Sequence, residues 1–508
     1  GVSDGGIRIL DGISLSEAGV HRIRARLPDG STAFSNPILC QVAPAHHIYW
    51  GELHAHGWGD CSMLLMCDRT RKTDPLARHE QARRVGRYDY AAPGAMSMPD
   101  TPERDEIWQA YLDAVAQTDE PGHYVPFAAM EMHPPRGADR TLILRDGGTI
   151  PISMRVPIED VYAEYAGRDD TILEAHIGGS SPDFDAFHPP EGDVVEMVSA
   201  FGNAEWLLQK YLQDGQRPTI TGASDLHLGL MGAPRAVETF RGRFYRGDFK
   251  LNVRDSAYGS GPIGALLAPS CTRNALWDAL KTRRSYATTG DRIVLELDAG
   301  GHGMGTVAEL PDTFPITLII HGEAEIDRVD LIAGTHLAQT WRPGTRDATI
   351  NFDYDRSNAP PARWFYFRVH QTNAEYAWTA PIWFSDREKK GDTNRDWAPW
   401  NWQEKPEPDP KAREVTEEHA VALEAYLERE GERALLDAIE PLGVRHESMG
   451  VSAVFASRLQ SSGWPVTIRW FFDFPIPKIR LDWGWQDFGP VDCERGPAVG
   501  EPPPMSKI

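Results

Sequence analysis

Short apolar runs alternate with helical patterns between residues 48 and 293, and this alternation constrains the fold more than any other feature of the chain. Four of the runs have the length of buried strands, namely residues 125–130, 172–175, 194–198 and 219–222. Apolar side chains recur at helical spacing in Trp108, Tyr111, Leu112 and Val115, and again in Leu276, Ala279 and Leu280. Strands that alternate with helices are typical of α/β barrels and layered sheets. The sequence therefore predicts an α/β unit over residues 46–292.

Further β structure is predicted on both sides of this unit. Residues 20–27 alternate apolar and polar side chains, and we expect residues 1–45 to pack on a later β unit. That unit spans residues 293–384, where strand patterns are separated by Pro, Gly and Asn clusters typical of a small β-sandwich. Residues 385–508 combine a polar linker, one helix at about 416–439 and an end rich in Trp, Phe and Pro. They predict an irregular C-terminal extension.

Two pairs of metal-ligand residues lie at the ends of short strands. His54 and His56 are two residues apart in the run YWGELHAH, so on a strand their imidazoles project from one face. Asp225 and His227 share a face by the same argument. Active sites of barrels gather at the carboxyl ends of the strands. Taken alone each pair is a weak signal, and two incidental surface histidines are the simpler interpretation of the first.

Glu131 and His176 each end a further apolar run, at residues 125–130 and 172–175. A single Glu or His in such a place is usually structural. Donor side chains at four strand ends are harder to explain in that way, and mixed imidazole and carboxylate ligands suit Zn²⁺, Mn²⁺ or Fe²⁺ rather than Mg²⁺. The pattern predicts a metal centre where the four segments meet.

The order of these residues resembles the PHP (polymerase and histidinol phosphatase) superfamily, with HxH after a strand, then Glu, then His, then DxH. More narrowly, the chain resembles the bacterial DUF3604 group of that superfamily. The resemblance covers roughly residues 20–384 and includes YWGELHAH at 49–56, EPGHYVPF at 120–127 and RRSYATTG at 283–290. The last of these motifs is the most specific to the narrower group. Residues 385–508 are not accounted for by the resemblance.

The resemblance implies a fold and a set of ligands. The fold is a distorted (β/α)7 barrel that holds up to three divalent ions. One ion would be held by His54, His56, Glu131 and Asp225. A second would share Glu131 as a bridge and use His176, and a third would use His227 with other histidines.

The chain departs from the superfamily pattern in three places. The stretch APGAMSMPD at 92–100 lacks the histidine of the usual Thr-Asp-His, so only Asp100 can stand in for it. In the family pattern a histidine often follows the glutamate within the next few positions, and in this chain Asp139 stands at that position. Glu52 replaces the more usual Asp before Leu-His, and we expect it to act as a hydrogen-bond partner of a ligand histidine. One or two ions per chain are therefore favoured.

The predicted chemistry follows from these ligands. A divalent ion lowers the pKa of a bound water from about 15.7 toward about 7, which gives a hydroxide nucleophile at neutral pH. Asp225 or His227 is then a candidate to move a proton to the leaving group. Arg235 and Arg140 are candidates for binding an anion, because a guanidinium pairs with two phosphate oxygens at once. A surface salt bridge is the alternative for each arginine.

The composition argues against several classes of partner. The formal net charge is −22, from 52 basic and 74 acidic residues, and an acidic surface disfavours nucleic acid. No apolar run has the roughly eighteen residues that a membrane span needs. The five cysteines are scattered and odd in number, which is typical of reduced thiols. A cytoplasmic location is favoured, and export of a processed chain stays open because the chain begins without Met or a signal-peptide pattern.

The sequence thus predicts a metal-dependent hydrolase, a phosphoesterase acting on a small anionic substrate. Two alternatives stay open. One is hydrolysis of another bond type on the same metal scaffold, and the other is a metal-binding pseudo-enzyme with a binding or assembly role. Because exposed Trp and Phe are unfavourable in water, the C-terminal extension is the expected contact surface of a homo-oligomer.

Overall fold

Strands outnumber helices throughout the computed structural model of this chain, which has mixed α/β structure. The structure describes residues 12–26, 30–56, 75–94, 104–132, 134, 139–148, 157–176, 194–199, 202–203, 205–225, 231, 262–359, 362–373, 375–385, 466–473 and 476–483. The α/β class predicted from the alternating pattern is therefore confirmed.

Four short strands begin the described chain: β1 (Gly19–His21), β2 (Arg24–Arg26), β3 (Thr32–Phe34) and β4 (Ile38–Cys40). They form two separate ladders, because β1 pairs with β4 and β2 pairs with β3. The guanidinium of Arg22 donates to the carboxylate of Asp347 at 2.8 Å and to the carbonyl of Gly322 at 2.8 Å. The N-terminal segment therefore lies against strands that come much later in the chain.

Eleven described strands and five helices make up the central part of the chain. The strands are β5 (His47–His56), β6 (Tyr90–Gly94), β7 (Val125–Pro126), β8 (Ala128–Met132), β9 (Arg140–Leu144), β10 (Thr171–Ala175), β11 (Val194–Ser199), β12 (Gly202–Asn203), β13 (Thr219–Gly222), β14 (Ile263–Ala268) and β15 (Ser285–Thr288). The helices are α1 (Pro75–Gln81), which continues into a π-helical turn (Ala82–Gly86), α2 (Arg104–Thr118), α3 (Ile158–Tyr165), α4 (Glu205–Gln213) and α5 (Arg273–Lys281).

These strands belong to two sheets. The first has six described strands in the order β12-β11-β10-β9-β8, with β13 also paired to β11. Within it β11 runs parallel to both β10 and β13. In the second sheet β5 lies between β14 and β6, antiparallel to β14 and parallel to β6. All four runs predicted as strands are found, and the first of them is divided at Phe127 into β7 and β8.

The two sheets approach each other along both edges. At one edge the N–H of Phe127 donates to the carbonyl of Ala91 at 2.8 Å, and β6 packs beside β8. At the other edge β13 packs beside β14 and β15, so closely that a Cβ on Gly222 would lie 2.7 Å from the carbonyl oxygen of Ile263. No hydrogen-bonded ladder joins β13 to β14 among the described strands, so a closed (β/α)7 barrel is not established.

The helices pack on the sheets through the apolar stripes that the sequence contains. Buried residues of these stripes are Leu276, Trp277, Ala279 and Leu280 in α5, and Trp108, Tyr111 and Val115 in α2. Burying each large side chain of this kind stabilises the fold by roughly 1.5–3 kcal/mol. Part of the apolar core therefore lies between these helices and the sheets, and a further cluster joins apolar side chains of the two sheets, among them Leu53 and Ile143.

The later β part has eight strands in the described region: β16 (Val294–Ala299), β17 (Val307–Ala308), β18 (Thr313–Ala333), β19 (His336–Trp341), β20 (Thr345–Asp355), β21 (Trp364–Gln371), β22 (Tyr376–Thr379) and β23 (Ile382–Phe384). The long strand β18 pairs with β16 through its first half and with β21 through its second half. Because β22 pairs with β15, this part shares one continuous sheet with β5 and β14.

The C-terminal extension was expected to be irregular, and in part this expectation is wrong. Strands β24 (Val466–Asp473) and β25 (Ile476–Trp483) form a regular antiparallel hairpin over eight register pairs. The helix predicted at about 416–439 lies outside the described residues. Among the helices that the structure describes, none has the length and apolar character needed to cross a membrane.

Candidate metal centre

His54 occupies the middle of the site and is carried by β5. Residues 50–55 of this strand are all buried, and successive side chains alternate between its two faces. His54 is 1% exposed and Glu52, two residues earlier, is fully buried. His56 closes the strand, but its side chain lies outside the described residues, so the predicted pair of imidazoles is described at His54 alone.

Glu131 and His176 bring the second and third donors. Glu131 lies on β8, and His176 is the first residue after β10. The Nε2 atom of His176 lies 3.4 Å from Oε1 of Glu131, and Nε2 of His54 lies 3.9 Å from the same oxygen. The two imidazole rings are 4.0 Å apart between centroids. Three donors predicted at separate strand ends therefore meet at one point.

Asp225 adds a fourth charged group at the edge of this cluster. It follows β13 by three residues, and its N–H donates to the carbonyl of His54 at 3.2 Å. Its Oδ1 lies 3.3 Å from Nε2 of His54. The backbone of Asp225 has a φ of 49°, in the left-handed region that non-glycine residues seldom adopt. Such strain is found preferentially at functional sites.

Glu196 is a residue of the site that the sequence interpretation missed. It lies on β11 with 1% exposure, and its Oε2 is 2.8 Å from Nδ1 of His54. Glu52 was the expected partner of a ligand histidine, but the partner of His54 at Nδ1 is Glu196. The carboxylate of Glu52 instead accepts from the N–H of Ser224 at 2.6 Å. A signal for Glu196 was present, since it interrupts the otherwise apolar run VVEMV.

Glu174 is a further buried carboxylate, and together with Glu52 and Glu196 it forms an inner layer beside the cluster. Glu174 lies two residues before His176, and its Oε1 accepts from the hydroxyl of Thr221 at 2.5 Å. Burial raises the pKa of Glu52 to about 8, although the hydrogen bonds from Ser224 lower it. Burial also raises the pKa of Glu174 and of Glu196. Carboxylates so buried are costly unless cations or hydrogen-bond donors compensate them.

The histidine among these acids responds in the opposite direction. Burial by itself lowers the pKa of His54, but the negative charges of Asp225 and Glu196 outweigh it, and the pKa of His54 is well above its usual range. The site therefore favours positive charge at the position of His54. A metal cation would satisfy the same field.

The donor atoms fit a divalent ion. One ligand atom each of His54, Glu131 and His176 lie within 4.8 Å of one another, and all three residues are buried. Ligands bound tetrahedrally at about 2.0–2.2 Å are roughly 3.4 Å apart. The separations of 3.4 and 3.9 Å from Glu131 are close to that value. The cluster is therefore a candidate metal site, whose metal and stoichiometry are not shown.

Of the remaining predicted positions, three lie outside the described residues: His227, Arg235 and Asp100. Asp139 is buried, and its backbone carbonyl accepts from the N–H of His176 at 3.4 Å. Arg140, a candidate for anion binding, is fully buried and donates to the hydroxyl of Tyr162 at 2.9 Å.

His79 is a buried histidine outside the candidate metal cluster, and it lies in α1. Its Nδ1 is 2.8 Å from the hydroxyl of Tyr124. Burial lowers the pKa of His79 to about 3, so the ring is neutral and has a structural role.

Comparison with known proteins gives a family match and distant relatives. Residues 220–310 match the model of DUF3604, described as a protein of unknown function. An uncharacterized protein of Chlamydia trachomatis is 23% identical over 426 residues, covering 75% of this chain and 65% of that protein. An uncharacterized protein of Chlamydia pneumoniae is 22% identical over 422 residues, covering 75% of this chain and 64% of that protein. The chain thus spans slightly less than two thirds of the length of these relatives.

One solved structure shows a weaker likeness. It is a two-domain protein of Bacteroides vulgatus, described as containing a predicted PHP-like metal-dependent phosphoesterase. It covers 68% of this chain and 98% of its own, with 11% identity and a TM-score of 0.34. A likeness at this level carries no argument about the function of this chain.

Proposed function

We propose that this protein is a metal-dependent hydrolase that cleaves phosphoesters of small anionic molecules. The observation that supports the proposal is the meeting of His54, Glu131 and His176, three buried donors from three different strands. Burial matters because a buried carboxylate such as Glu131 needs a compensating cation or hydrogen-bond donors. A divalent cation accounts for all three donors together.

The ligand set of the proposal is wider than this cluster. Asp225 is included because its carboxylate lies 3.3 Å from the same nitrogen of His54. His56 and His227 complete the set on the strength of the sequence pattern, and one or two ions of Zn²⁺, Mn²⁺ or Fe²⁺ suit such donors. We also infer that the two sheets form a distorted barrel, which their close approach along both edges supports.

The bound ion would supply Lewis-acid catalysis and would lower the pKa of water. The residues of the chain supply the remaining functions. Glu131 and His176 hold their donor atoms in place from the ends of buried strands. A carboxylate oxygen of Asp225 or a ring nitrogen of His227 that the metal does not engage accepts the proton of the attacking water and returns it to the leaving oxygen. Arg235 pairs with the oxygens of the transferred phosphoryl group.

The proposal is tested by metal analysis together with an activity assay. Protein from cells grown with Mn²⁺ and Zn²⁺ should contain at least one divalent ion per chain and hydrolyse p-nitrophenyl phosphate. Glu131→Gln and His176→Asn should each lower activity by on the order of 100-fold, since each removes a ligand. The matched control is His302→Asn, a histidine in the turn after β16, which should keep both metal and activity.

The outcomes separate the two parts of the proposal. A wild-type protein that binds metal but cleaves no phosphoester contradicts the substrate class and leaves the metal centre standing. A wild-type protein that binds no metal under these conditions contradicts both. Full activity of Glu131→Gln would contradict the assigned ligands.

A further inference from the structure

We propose that Glu196 is a positioning residue that fixes the tautomer and orientation of His54 for metal binding. The inference rests on the proposed metal centre and adds a residue that neither the sequence motifs nor the ligand cluster include. Glu196 reaches the metal only through the imidazole. It is therefore not proposed as a ligand.

The argument begins with the two nitrogens of one ring. Nδ1 of His54 lies 2.8 Å from Oε2 of Glu196, whereas Nε2 lies 3.3 Å from Oδ1 of Asp225. A metal on Nε2 would leave the hydrogen of the ring on Nδ1, which then donates to the carboxylate of Glu196. The nitrogen that remains for a metal is Nε2, which is the one facing Glu131 and Asp225. A hydrogen bond at one ring nitrogen sets which nitrogen binds metal.

The position of Glu196 in the sheet makes it a rigid anchor. Its strand, β11, is hydrogen-bonded in parallel to β10 on one side and to β13 on the other. Glu196 is in register with Thr221 of β13. His176 directly follows β10, and Asp225 follows β13 by three residues. The strand that holds Glu196 therefore lies between the two strands that deliver neighbouring donors.

The chemistry of this position argues against a merely structural role. Val194, Val195, Met197 and Val198 surround Glu196 in the strand, and all four are buried. An apolar side chain would fill this place without the desolvation that a carboxylate requires. The two other carboxylates of the layer, Glu52 and Glu174, accept from Ser224 and Thr221. Among the described contacts of these three carboxylates, Glu196 is the one that accepts a hydrogen bond from a ligand imidazole.

Metal affinity is the first readout. Glu196→Leu removes the acceptor, and metal affinity measured by chelator competition should fall 10–100-fold, the usual effect of losing such a partner. Glu196→Gln keeps an acceptor oxygen for Nδ1 and should recover most of the affinity. The control is His302→Asn, a histidine in the turn after β16, which should leave metal affinity unchanged.

Histidine NMR of the zinc-loaded protein is the second readout, independent of activity. In the wild type and in Glu196→Gln, His54 should show a slowly exchanging proton on Nδ1, and zinc on Nε2. In Glu196→Leu this proton should exchange rapidly. A merely structural role would change stability and leave the protonated nitrogen the same.

The outcomes distinguish this inference from the proposed function. If wild-type protein binds no metal, the proposed function is wrong and this inference falls with it. If wild type binds metal and Glu196→Leu binds it equally well, with Nδ1 still protected, only the role of Glu196 is wrong. Should Glu196→Leu fail to fold, Glu196→Gln decides, because a loss of affinity as large as that of Glu131→Gln would mean that Glu196 is itself a ligand.

Discussion

Arg368 donates from Nη1 to Oε2 of Glu205 at 2.8 Å, and both side chains are buried. The pair connects β21 of the later β part to the first residue of α4 in the α/β part. The Nη2 atom of Arg368 donates to Oδ2 of Asp330 at 3.0 Å. The indole N–H of Trp378 also donates to Oε2 of Glu205, at 3.1 Å. The two parts of the chain are therefore joined by a buried ion-pair network as well as by a shared sheet.

Replacing Arg368 by Met should destabilise the protein strongly. The substitution leaves Glu205 and Asp330 buried without their cation, and breaking a buried pair in this way costs about 3–5 kcal/mol. The midpoint of urea unfolding, followed by Trp fluorescence, should fall accordingly. The matched control is Arg342→Met, whose partner Asp327 lies in an exposed pair at 3.1 Å and whose loss should cost less than about 1 kcal/mol. Equal effects of the two substitutions would contradict the buried network.

Asp89→Asn should change the pH dependence of stability. Asp89 accepts from the N–H of Trp50 at 2.7 Å, and burial raises its pKa to about 6. The unfolded carboxyl has a pKa of about 3.9, so between pH 4 and 6 the folded state binds more protons and the free energy of unfolding falls as pH rises. Asparagine keeps the acceptor oxygen without the charge. The variant should therefore gain up to about 2 kcal/mol relative to wild type between pH 4 and pH 7.

Urea unfolding of both proteins at several pH values measures this difference. The comparison uses the difference between variant and wild type, so that other titrating groups cancel. A difference that stays constant from pH 4 to pH 7 would show that Asp89 does not have the raised pKa.

Asp225→Gly and Asp225→Ala should differ in stability but not in metal binding. Both substitutions remove the carboxylate, and in both variants the backbone of residue 225 must still adopt a φ of 49°. Glycine adopts this conformation freely, whereas a Cβ costs about 1–2 kcal/mol. The glycine variant should thus be more stable by about 1 kcal/mol, and both should bind metal more weakly than wild type.

A control for the backbone term is available at Ala43. It has the same φ of 49° and lies in an exposed turn, so Ala43→Gly should stabilise the protein without changing metal affinity. Equal stability of the two Asp225 variants would mean that the strained backbone at this residue is absent.

The sequence predicted the strands that carry the donors because each is a short apolar run bounded by polar residues. His54, Glu131 and His176 were found by their place at strand ends, where side chains from different segments converge. Glu196 interrupts an apolar run, but its pairing with His54 could not be predicted, because the two residues are 142 apart and a local pattern does not give strand order within a sheet. Glu52 was expected from the family pattern before Leu-His, but its carboxylate accepts from Ser224, 172 residues away.

Long-range pairing explains the other differences as well. The pairing of β22 with β15 joins the α/β part to the later β part, which the sequence pattern divides at residue 293. The helix α1 is hard to predict, because it has seven residues, begins with proline and carries little apolar periodicity. Within it His79 contacts the hydroxyl of Tyr124, a partner that the local pattern does not reveal.

X-ray absorption spectroscopy of the zinc-loaded protein tests the metal centre most directly. The account predicts nitrogen and oxygen ligands at about 2.0–2.2 Å, with the multiple scattering of at least two imidazoles. His176→Ala should remove the contribution of one imidazole, and His302→Asn should leave the spectrum unchanged. A spectrum without imidazole scattering, or one that His176→Ala leaves unaltered, would contradict the central claim.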